Sequence, residues 1–356
     1  MIGAPVNLQS LRHFIRGALA FLVLAALGSA SPAYAQLNII ASYDSTWTNP
    51  AELATVQTTL NDAIRNYASL YSLDNINVRI TFSKMSGGLG ASSTAVISRP
   101  YTTVRNALLS HAVTTDDLSS LGSLPSQTNN PINNDPNIVL TVPNARVLGI
   151  VSNSSSSDAT VFLNTSIMNL TRPPTNPSFY DLRAVAQHEM DEVLGTSSGV
   201  GDTLPETADL FRYGGPGTRS WATGTSVTAF FSVNQGTTNI VTYNQNGQGD
   251  YGDWVVHNPG FVQDWAGSPN QTPNLGVELR LLDVIGYRLA PIPEPTTIGL
   301  LFAGGAGAVF WRRHRKLRQL DQEADQLANA EADASSYGET AADDEAPEPA
   351  FDAEPV

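Results

Sequence analysis

The chain has 356 residues, of which 41% are hydrophobic, and its 33 acidic residues outnumber its 19 lysines and arginines. The formal net charge of -14 excludes nucleic acid and anionic membrane surfaces as main partners, because phosphate binding needs a basic surface. The chain contains no cysteine, which excludes disulfides and thiolate metal sites. A transition-metal site would therefore have to use histidine and carboxylate ligands.

The N-terminal segment has the three parts of a secretory signal peptide. Arg12 and Arg16 precede an apolar run at residues 18–27, and a site of small residues follows and ends at Ala35. We expect residues 1–35 to be removed on export, so that the mature body folds outside the cytoplasm.

The first half of the body is predicted to alternate strands with helices. Alternating apolar residues predict the strands, and amphipathic spacing predicts the helices, the longest of which begins at a proline. The predicted strands are residues 37–44, 77–83, 137–142 and 159–163, and the predicted helices begin at Pro50, Tyr101 and close to Asp116. Residues 125–136 are rich in Asn and Pro, which predicts a solvated loop, with ligation of Ca2+ as the alternative.

The segment AVAQHEMDEVLG, residues 184–195, concentrates candidate metal ligands in one predicted helix. At helical spacing His188 and Glu192 project from one face, and Glu189 lies one position round. Histidine and glutamate both ligate zinc, so the pattern predicts a Zn2+ site with Glu189 as the general base on an activated water. A helix that merely carries a His-Glu pair is the alternative. The helix is expected to stop at Gly195.

The third ligand is predicted to come from outside this helix. The candidates are Asp202, Glu206, Asp209 and His257, and we favour Asp209 because it begins a strand-like segment that can return to the helix. A surface carboxylate is the alternative for each acidic candidate. If Asp209 instead pairs with Arg212, its role is structural.

The character of the sequence changes after Gly195. The residues that follow are rich in Gly, Thr, Asn and aromatics, which predicts short strands and turns, with Asn246 and Gly247 as the best hairpin signal. A helical pattern returns at residues 278–287. The body is thus predicted as α+β, with a mixed twisted sheet and helices first, the metal-binding helix next and an irregular β-rich part last.

The C-terminal segment resembles a PEP-CTERM sorting signal, which we place at residues 293–318. Pro293, Glu294 and Pro295 are followed by an apolar run at residues 296–311 and by a basic cluster. The resemblance implies an exosortase-type partner, transient insertion of the apolar run in the inner membrane, and final placement at the cell surface or in the extracellular matrix of a Gram-negative bacterium. Residues 319–356 carry twelve acidic residues and are predicted to be disordered and cytoplasmic until they are removed.

The body as a whole, residues 36–292, is similar to a family of exported PEP-CTERM metalloproteases with metzincin-like architecture. The segments that carry the resemblance are AVAQHEMDEVLG, SGVGD, ADLFRYGGPGTRS, DYGDW and LLDVIGY. The resemblance implies a zinc endopeptidase with a cleft between two subdomains, His188 and Glu192 as ligands and Glu189 as the base. The last histidine of the metzincin pattern falls on Ser198, which is a poor ligand.

Three functions remain open from the sequence. The leading hypothesis is an exported zinc-dependent endopeptidase that acts on a protein or peptide substrate. The second is a catalytically inactive structural or adhesive surface protein on a protease-like fold, which the high Gly, Asn and Thr content of the second half favours. The third is a hydrolase of non-peptide substrates at the same metal site.

Overall fold

The computed structural model describes residues 35–72, 75–289, 315 and 319. The chain divides into two compact units, Met1–Ala290 and Pro291–Val356, and the elements below all lie in the first. The predictions for the signal peptide before Ala35, for the apolar run 296–311 and for the acidic tail fall outside the described residues. Within the described part, no helix is both long enough and apolar enough to cross a membrane.

The described elements are short strands and helices. The strands are β1 (Ala35–Gln36), β2 (Asn38–Tyr43), β3 (Leu70–Ser72), β4 (Asn77–Lys84), β5 (Gly90–Thr94), β6 (Val96–Pro100), β7 (Asn137–Thr141), β8 (Ala159–Leu163), β9 (Met168–Asn169), β10 (Tyr180–Asp181), β11 (Arg212–Gly215), β12 (Thr218–Arg219), β13 (Phe230–Phe231), β14 (Val241–Thr242) and β15 (Arg288–Leu289). The helices are α1 (Pro50–Arg65), α2 (Tyr101–His111), α3 (Thr115–Leu121), α4 (Val142–Val147), α5 (Leu182–Asp191) and α6 (Val277–Val284).

A four-stranded sheet in the order β2-β4-β8-β5 supports the N-terminal half. β2, β4 and β8 are parallel, and β5 pairs antiparallel with β8 at the edge of the sheet. The buried side chains of β4 and β8 alternate with less buried ones, as expected for strands with one face in the core. The sequence therefore locates β2, β4, β7 and β8, whereas β5 is not among the predicted strands.

Helix α1 connects β2 to the rest of the sheet and begins where the sequence predicts. The Asn49 side chain accepts hydrogen bonds from the first free backbone amides, and Pro50 occupies the first turn, where no amide donor is needed. Val56 and Leu60 on its inner face are fully buried. α1 packs against α5, and just beyond α1 the Tyr67 hydroxyl donates to the Asp191 carboxylate at 2.8 Å.

The Asn-rich loop before β7 is organised by its own side chains. The Asn130 Oδ1 accepts from the amides of Ile132 and Asn133, and Asn130 Nδ2 donates to the carbonyls of Asp135 and Asn137. The Asn130 side chain thus stabilises the loop backbone, and ligation of Ca2+ by this loop stays an untested alternative.

The second half is made of short strands in the sheet β12-β11-β13-β14 and of long irregular segments, as the composition predicts. Asn246 begins a turn that the Gly249 amide closes by donating to the Asn246 carbonyl. The flanking strand-like residues that pair are Tyr243 and Trp254, so this turn is the tip of a wide loop and not a two-residue hairpin. The predicted α+β class is confirmed by this mixture of helices and several small sheets.

Candidate metal centre

The helix that carries the predicted ligands is α5. The Asp181 side chain caps it by accepting from the Ala184 amide, and after Asp191 the chain makes one π-helical turn, Glu192–Thr196. Gly195 adopts a positive φ of 116°, which ends the helix where the sequence predicts. A Cβ at this position would also lie 3.2 Å from the Asn144 Cβ, so glycine is needed for packing as well as conformation.

His188, Glu192 and Asp253 place one potential ligand atom each within 4.8 Å of one another. The His188 Nε2 lies 3.7 Å from the Glu192 Oε1 and 3.5 Å from the Asp253 Oδ1. Ligands that bind zinc tetrahedrally at about 2.0–2.1 Å are separated from one another by about 3.3–3.4 Å. The observed distances are therefore close to those of a ligand set around one metal ion.

The orientation of the His188 ring is set by a backbone carbonyl. The Nδ1 lies 3.0 Å from the Val262 carbonyl oxygen, which can only accept a hydrogen bond. The Nδ1 therefore carries a hydrogen, and Nε2 points to Glu192 and Asp253, where a metal ion would replace its proton. This is the usual way in which a protein fixes the tautomer of a metal-binding histidine.

Asp253 belongs to the wide loop between Tyr243 and Trp254 and was not among the ligands predicted from the sequence. The adjacent Trp254 is fully buried, and its amide donates to the Gln263 carbonyl at 2.7 Å. The Gln263 Nε2 then donates to the Asp253 Oδ1 at 2.9 Å, which orients the carboxylate. The only sequence signal was the segment DYGDW, in which a buried tryptophan anchors an acidic residue next to a glycine.

Gly252 explains how this loop reaches the helix. A Cβ on Gly252 would lie 3.0 Å from the Ser198 amide nitrogen and 3.1 Å from the backbone of Ser197, so the two backbones touch. Ser197 directly follows the π-helical turn. The close approach therefore places Asp253 beside α5.

The Glu192 carboxylate is held by the edge strand of the main sheet. The Ser92 hydroxyl on β5 donates to the Glu192 Oε2 at 2.8 Å. The other oxygen, Oε1, is the one that faces His188. One oxygen is thus occupied by the hydrogen bond, and the other remains directed at the cluster.

Glu189 lies against the start of the same strand. A Cβ on Gly90 would approach the Glu189 Oε1 to 2.5 Å and the Val185 Cγ1 to 2.8 Å. Only glycine therefore lets the Glu189 carboxylate occupy this place. Glu189 is buried and borders the same cavity as the three-residue cluster.

The carboxylates in this small volume change one another's protonation. Burial raises the pKa of Asp253 to about 7, and burial together with the neighbouring charges raises the pKa of Glu189 well above its usual range. Burial alone would lower the pKa of His188, but the charges of Asp253, Glu189 and Glu192 outweigh it and raise the pKa to about 10. The cluster therefore attracts positive charge strongly, as a cation site must.

The structure does not bring Asp209 to this cluster. Its carboxylate is buried and accepts hydrogen bonds from the Ser198 hydroxyl, the Gly199 amide and the Glu206 amide, at 2.5 to 2.9 Å. It thus stabilises the loop that follows the helix. The positive charge of Arg212 acts on Asp209 as well, in keeping with the structural alternative.

The other three candidates for the third ligand also lie outside the cluster. Asp202 is exposed, and Glu206 accepts a hydrogen bond from the Ser197 hydroxyl. The His257 Nδ1 contacts the Asp264 carboxylate at 2.6 Å, and its ring stacks on Phe261. His257 therefore shapes the loop beside the site without facing the three clustered ligands.

The cluster opens into a cavity of about 430 Å³. One wall is the start of β5 with the residues before it, the floor is α5, and the opposite wall is formed by two loops of the second half. The lining residues that bear most on chemistry are His188, Glu189, Glu192, Asp250, Asp253 and Trp265. The volume is typical of a small-molecule or side-chain pocket.

Comparison with known proteins gives a match at the C-terminus. Residues 291–316 match the family described as the PEP-CTERM protein-sorting motif. No curated protein and no solved structure matches the chain. The sorting motif supports export, recognition by an exosortase-type enzyme and sorting to the surface of a Gram-negative cell. The chain therefore carries at its C-terminus the sorting motif of an exported exosortase substrate.

Proposed function

We propose that this protein is an exported zinc-dependent endopeptidase with His188, Glu192 and Asp253 as zinc ligands. The observation that supports it most is the pair of distances from the His188 Nε2 to the two carboxylates, 3.7 and 3.5 Å. One nitrogen and two oxygens at these separations suit zinc, which accepts histidine and carboxylate ligands with tetrahedral geometry. The metzincin-like architecture implied by the sequence resemblance is part of the same proposal.

Each residue of the site has a separate task. His188 offers a fixed Nε2, because its Nδ1 is engaged by the Val262 carbonyl. Zinc, when bound, supplies Lewis acidity toward water and the peptide carbonyl. Glu189 accepts the proton of the attacking water and delivers it to the leaving nitrogen, a role that suits a buried carboxylate with a raised pKa.

A peptide is favoured as substrate by the strand beside the site. β5 is the edge of the main sheet, and its residues from Gly90 to Ser92 border the cavity. An edge strand presents unpaired backbone donors and acceptors, with which an extended peptide can form further strand pairing. A small non-peptide substrate would make no use of this edge.

The test compares two nearly isosteric substitutions in the purified, metal-replete protein. Glu189→Gln is expected to keep bound zinc and to lower peptide hydrolysis by about 10²–10⁴, the usual effect of removing a positioned acid-base group. Glu192→Gln is expected to lose zinc first and activity as a consequence. Bound zinc is measured by elemental analysis, and hydrolysis with casein and quenched peptides.

The inactive structural protein makes the opposite prediction. In that case wild-type protein holds no stoichiometric zinc, and both substitutions change only the stability, by about 1 kcal/mol. Asp202→Asn, an exposed carboxylate outside the cavity, serves as the control for a general loss of charge. Equal loss of zinc in the Glu189 and Glu192 variants would contradict the assigned roles.

A further inference from the structure

The cavity beside the proposed metal centre is lined by several acidic side chains, and His188 is the basic side chain among its described lining residues. Its carboxylates are Asp181, Glu189, Glu192, Asp250, Asp253 and Asp264. Among the described residues that line it, none is a lysine or an arginine. Outside the metal centre itself, a peptide side chain that carries a carboxylate would therefore meet several like charges and no lysine or arginine.

Most of these carboxylates have partners inside the protein. Asp181 pairs with Arg172, and Asp264 contacts His257. Glu192 and Asp253 face His188, where the proposed divalent cation would balance their two charges. Glu189 is buried and interacts with the charge of His188, so Asp250 is the carboxylate of these six that no described protein group balances.

Asp250 differs from the others in its exposure. Its carboxylate is exposed, and in the described part of the chain it takes part in no hydrogen bond or ion pair. Only its backbone carbonyl is used, and it accepts hydrogen bonds from Asn244 Nδ2 at 3.1 Å and from the Asp253 amide at 3.3 Å. The carboxylate is thus available to a ligand.

An aromatic ring borders the same cavity and packs against the residue before Asp250. A Cβ on Gly249 would lie 2.8 Å from the Trp265 Cε3, so the indole contacts Gly249 directly. Trp265 is only partly buried and lines the cavity together with Asp250. An indole and an unpaired carboxylate that border one cavity can together bind a lysine or arginine side chain, through cation–π and ionic contacts.

We propose that the cavity selects peptides with a lysine or arginine side chain close to the scissile bond, held by Asp250 and Trp265. This inference rests on the proposed peptidase function and adds its substrate class. It also predicts that free C-terminal carboxylates are not recognised, because the described lining has no lysine or arginine beside the metal centre to bind one. Cleavage should therefore occur within chains and not at their ends.

The test uses quenched peptides with blocked termini. The peptides of a set differ at one position, which carries Lys, Gln or Glu, and successive sets move this position across both sides of the scissile bond. At the selective position kcat/KM is expected to be at least about tenfold higher for Lys than for Glu at low ionic strength, because a cleft of one charge sign enriches opposite charges by this order. The ratio should fall as salt is added.

The variants separate the roles of the two side chains. In protein loaded with zinc, Asp250→Asn should bring the Lys-to-Glu ratio close to that of wild type at high salt. Asp202→Asn removes the same charge from an exposed loop outside the cavity and should leave the ratio unchanged. Trp265→Leu should lower kcat/KM for the Lys peptide more than for the Gln peptide.

The possible failures are distinguishable. If the zinc-loaded protein cleaves none of the peptides at any position, the proposed peptidase function is overturned. If it cleaves them with equal kcat/KM for Lys and Glu, or if Asp250→Asn keeps the full preference, the peptidase function stands and the substrate inference is overturned.

Discussion

The Asp253 Oδ1 lies 3.5 Å from the His188 Nε2, although the two residues are far apart in the sequence and belong to opposite halves of the body. The helix that contains His188 and Glu192 can provide two of the proposed ligands, as the sequence predicts, but not the third. The third proposed ligand lies on a loop without regular structure, which is fixed by the buried Trp254 and by Gln263. A complete site therefore requires the second half of the body to fold onto the helix.

Substitution of Asp253 should abolish metal binding, and substitution of Asp209 should not. Asp253→Asn is expected to weaken zinc binding at least about 100-fold, because a charged ligand is lost from a set of three. Asp209→Asn should retain zinc but lower the free energy of unfolding by about 1–3 kcal/mol, since buried amides lose a charged acceptor. Zinc titration with a competing chelator and chemical denaturation measure the two effects. If the folded Asp209→Asn variant lost zinc while Asp253→Asn bound zinc normally, Asp209 and not Asp253 would be the third ligand.

Gly90→Ala should impair catalysis without removing the metal. The added methyl group would occupy the space of the Glu189 carboxylate, which must then move, while Ser92 and Glu192 keep their hydrogen bond. A displacement of about 1 Å in a catalytic group can cost about 100-fold in rate, so we expect kcat to fall by about 10- to 100-fold. Steady-state kinetics and zinc content measured on the same preparation check this result.

Gly87→Ala is the matched control for that substitution. A Cβ on Gly87 would have no atom within 4 Å, although the residue lies only three positions earlier. Its kcat should equal that of wild type. Full activity of Gly90→Ala would show that Glu189 does not act from its observed position.

The stability of the protein should depend on the protonation of Asp283, away from the metal centre. Burial, assisted by the charge of Asp117, raises the pKa of Asp283 from the usual 3.8 to about 7. The folded state therefore binds this proton more tightly than the unfolded state does. The stabilisation is fully present below about pH 3.8 and is lost as the pH rises through about 7.

Asp283→Asn should remove that pH dependence. The side-chain oxygen of the introduced asparagine can still accept a hydrogen bond from the Leu289 backbone amide. Its side-chain nitrogen can donate to the Thr114 hydroxyl, and this bond replaces the one that Thr114 now donates to the carboxylate. The Tm of the variant should match wild type near pH 4 and exceed it by at least about 2 °C at pH 8. Thermal denaturation across this range tests the prediction, with Asp202→Asn as the exposed control. If the difference in Tm between Asp283→Asn and wild type were the same at every pH, protonation of Asp283 could not be its source.

Export should be followed by processing at the sorting motif. In a host with an exosortase-type enzyme, the surface protein should lack the acidic residues 319–356, which follow the matched motif at residues 291–316. Intact mass spectrometry measures the C-terminus. Alanine in place of Pro293, Glu294 and Pro295 should leave the tail attached, whereas a wild-type surface protein that still ends at Val356 would contradict the prediction.

The sequence could predict those residues of the site that are related by the periodicity of a helix. His188, Glu189 and Glu192 are related by helical spacing, and the glycine that ends the helix is visible as a local signal. Asp253 has no such relation to them, because its position depends on the contact of Gly252 with Ser197 and on the hydrogen bond from Gln263. Such contacts between distant segments leave no pattern in one sequence.

Asp209 illustrates the same limit. It begins the segment DLFRY and lies at a suitable distance from the helix in sequence, but its buried oxygens accept hydrogen bonds from the turn between Ser198 and Glu206. The fold shows a parallel case. β8 could be predicted from its apolar residues, whereas β5, with the sequence GASST, is a strand only because it pairs with β8.

Because Gly252 contacts the backbone of Ser197 and Ser198, metal occupancy of the proposed site would report on tertiary structure. In the unfolded chain the three proposed ligands are dispersed, so zinc would bind the folded state alone. Zinc at about 100 times its dissociation constant would then add about 2.7 kcal/mol to the free energy of unfolding. The visible spectrum of a cobalt-substituted protein would therefore follow the docking of the Asp253 loop in real time during refolding.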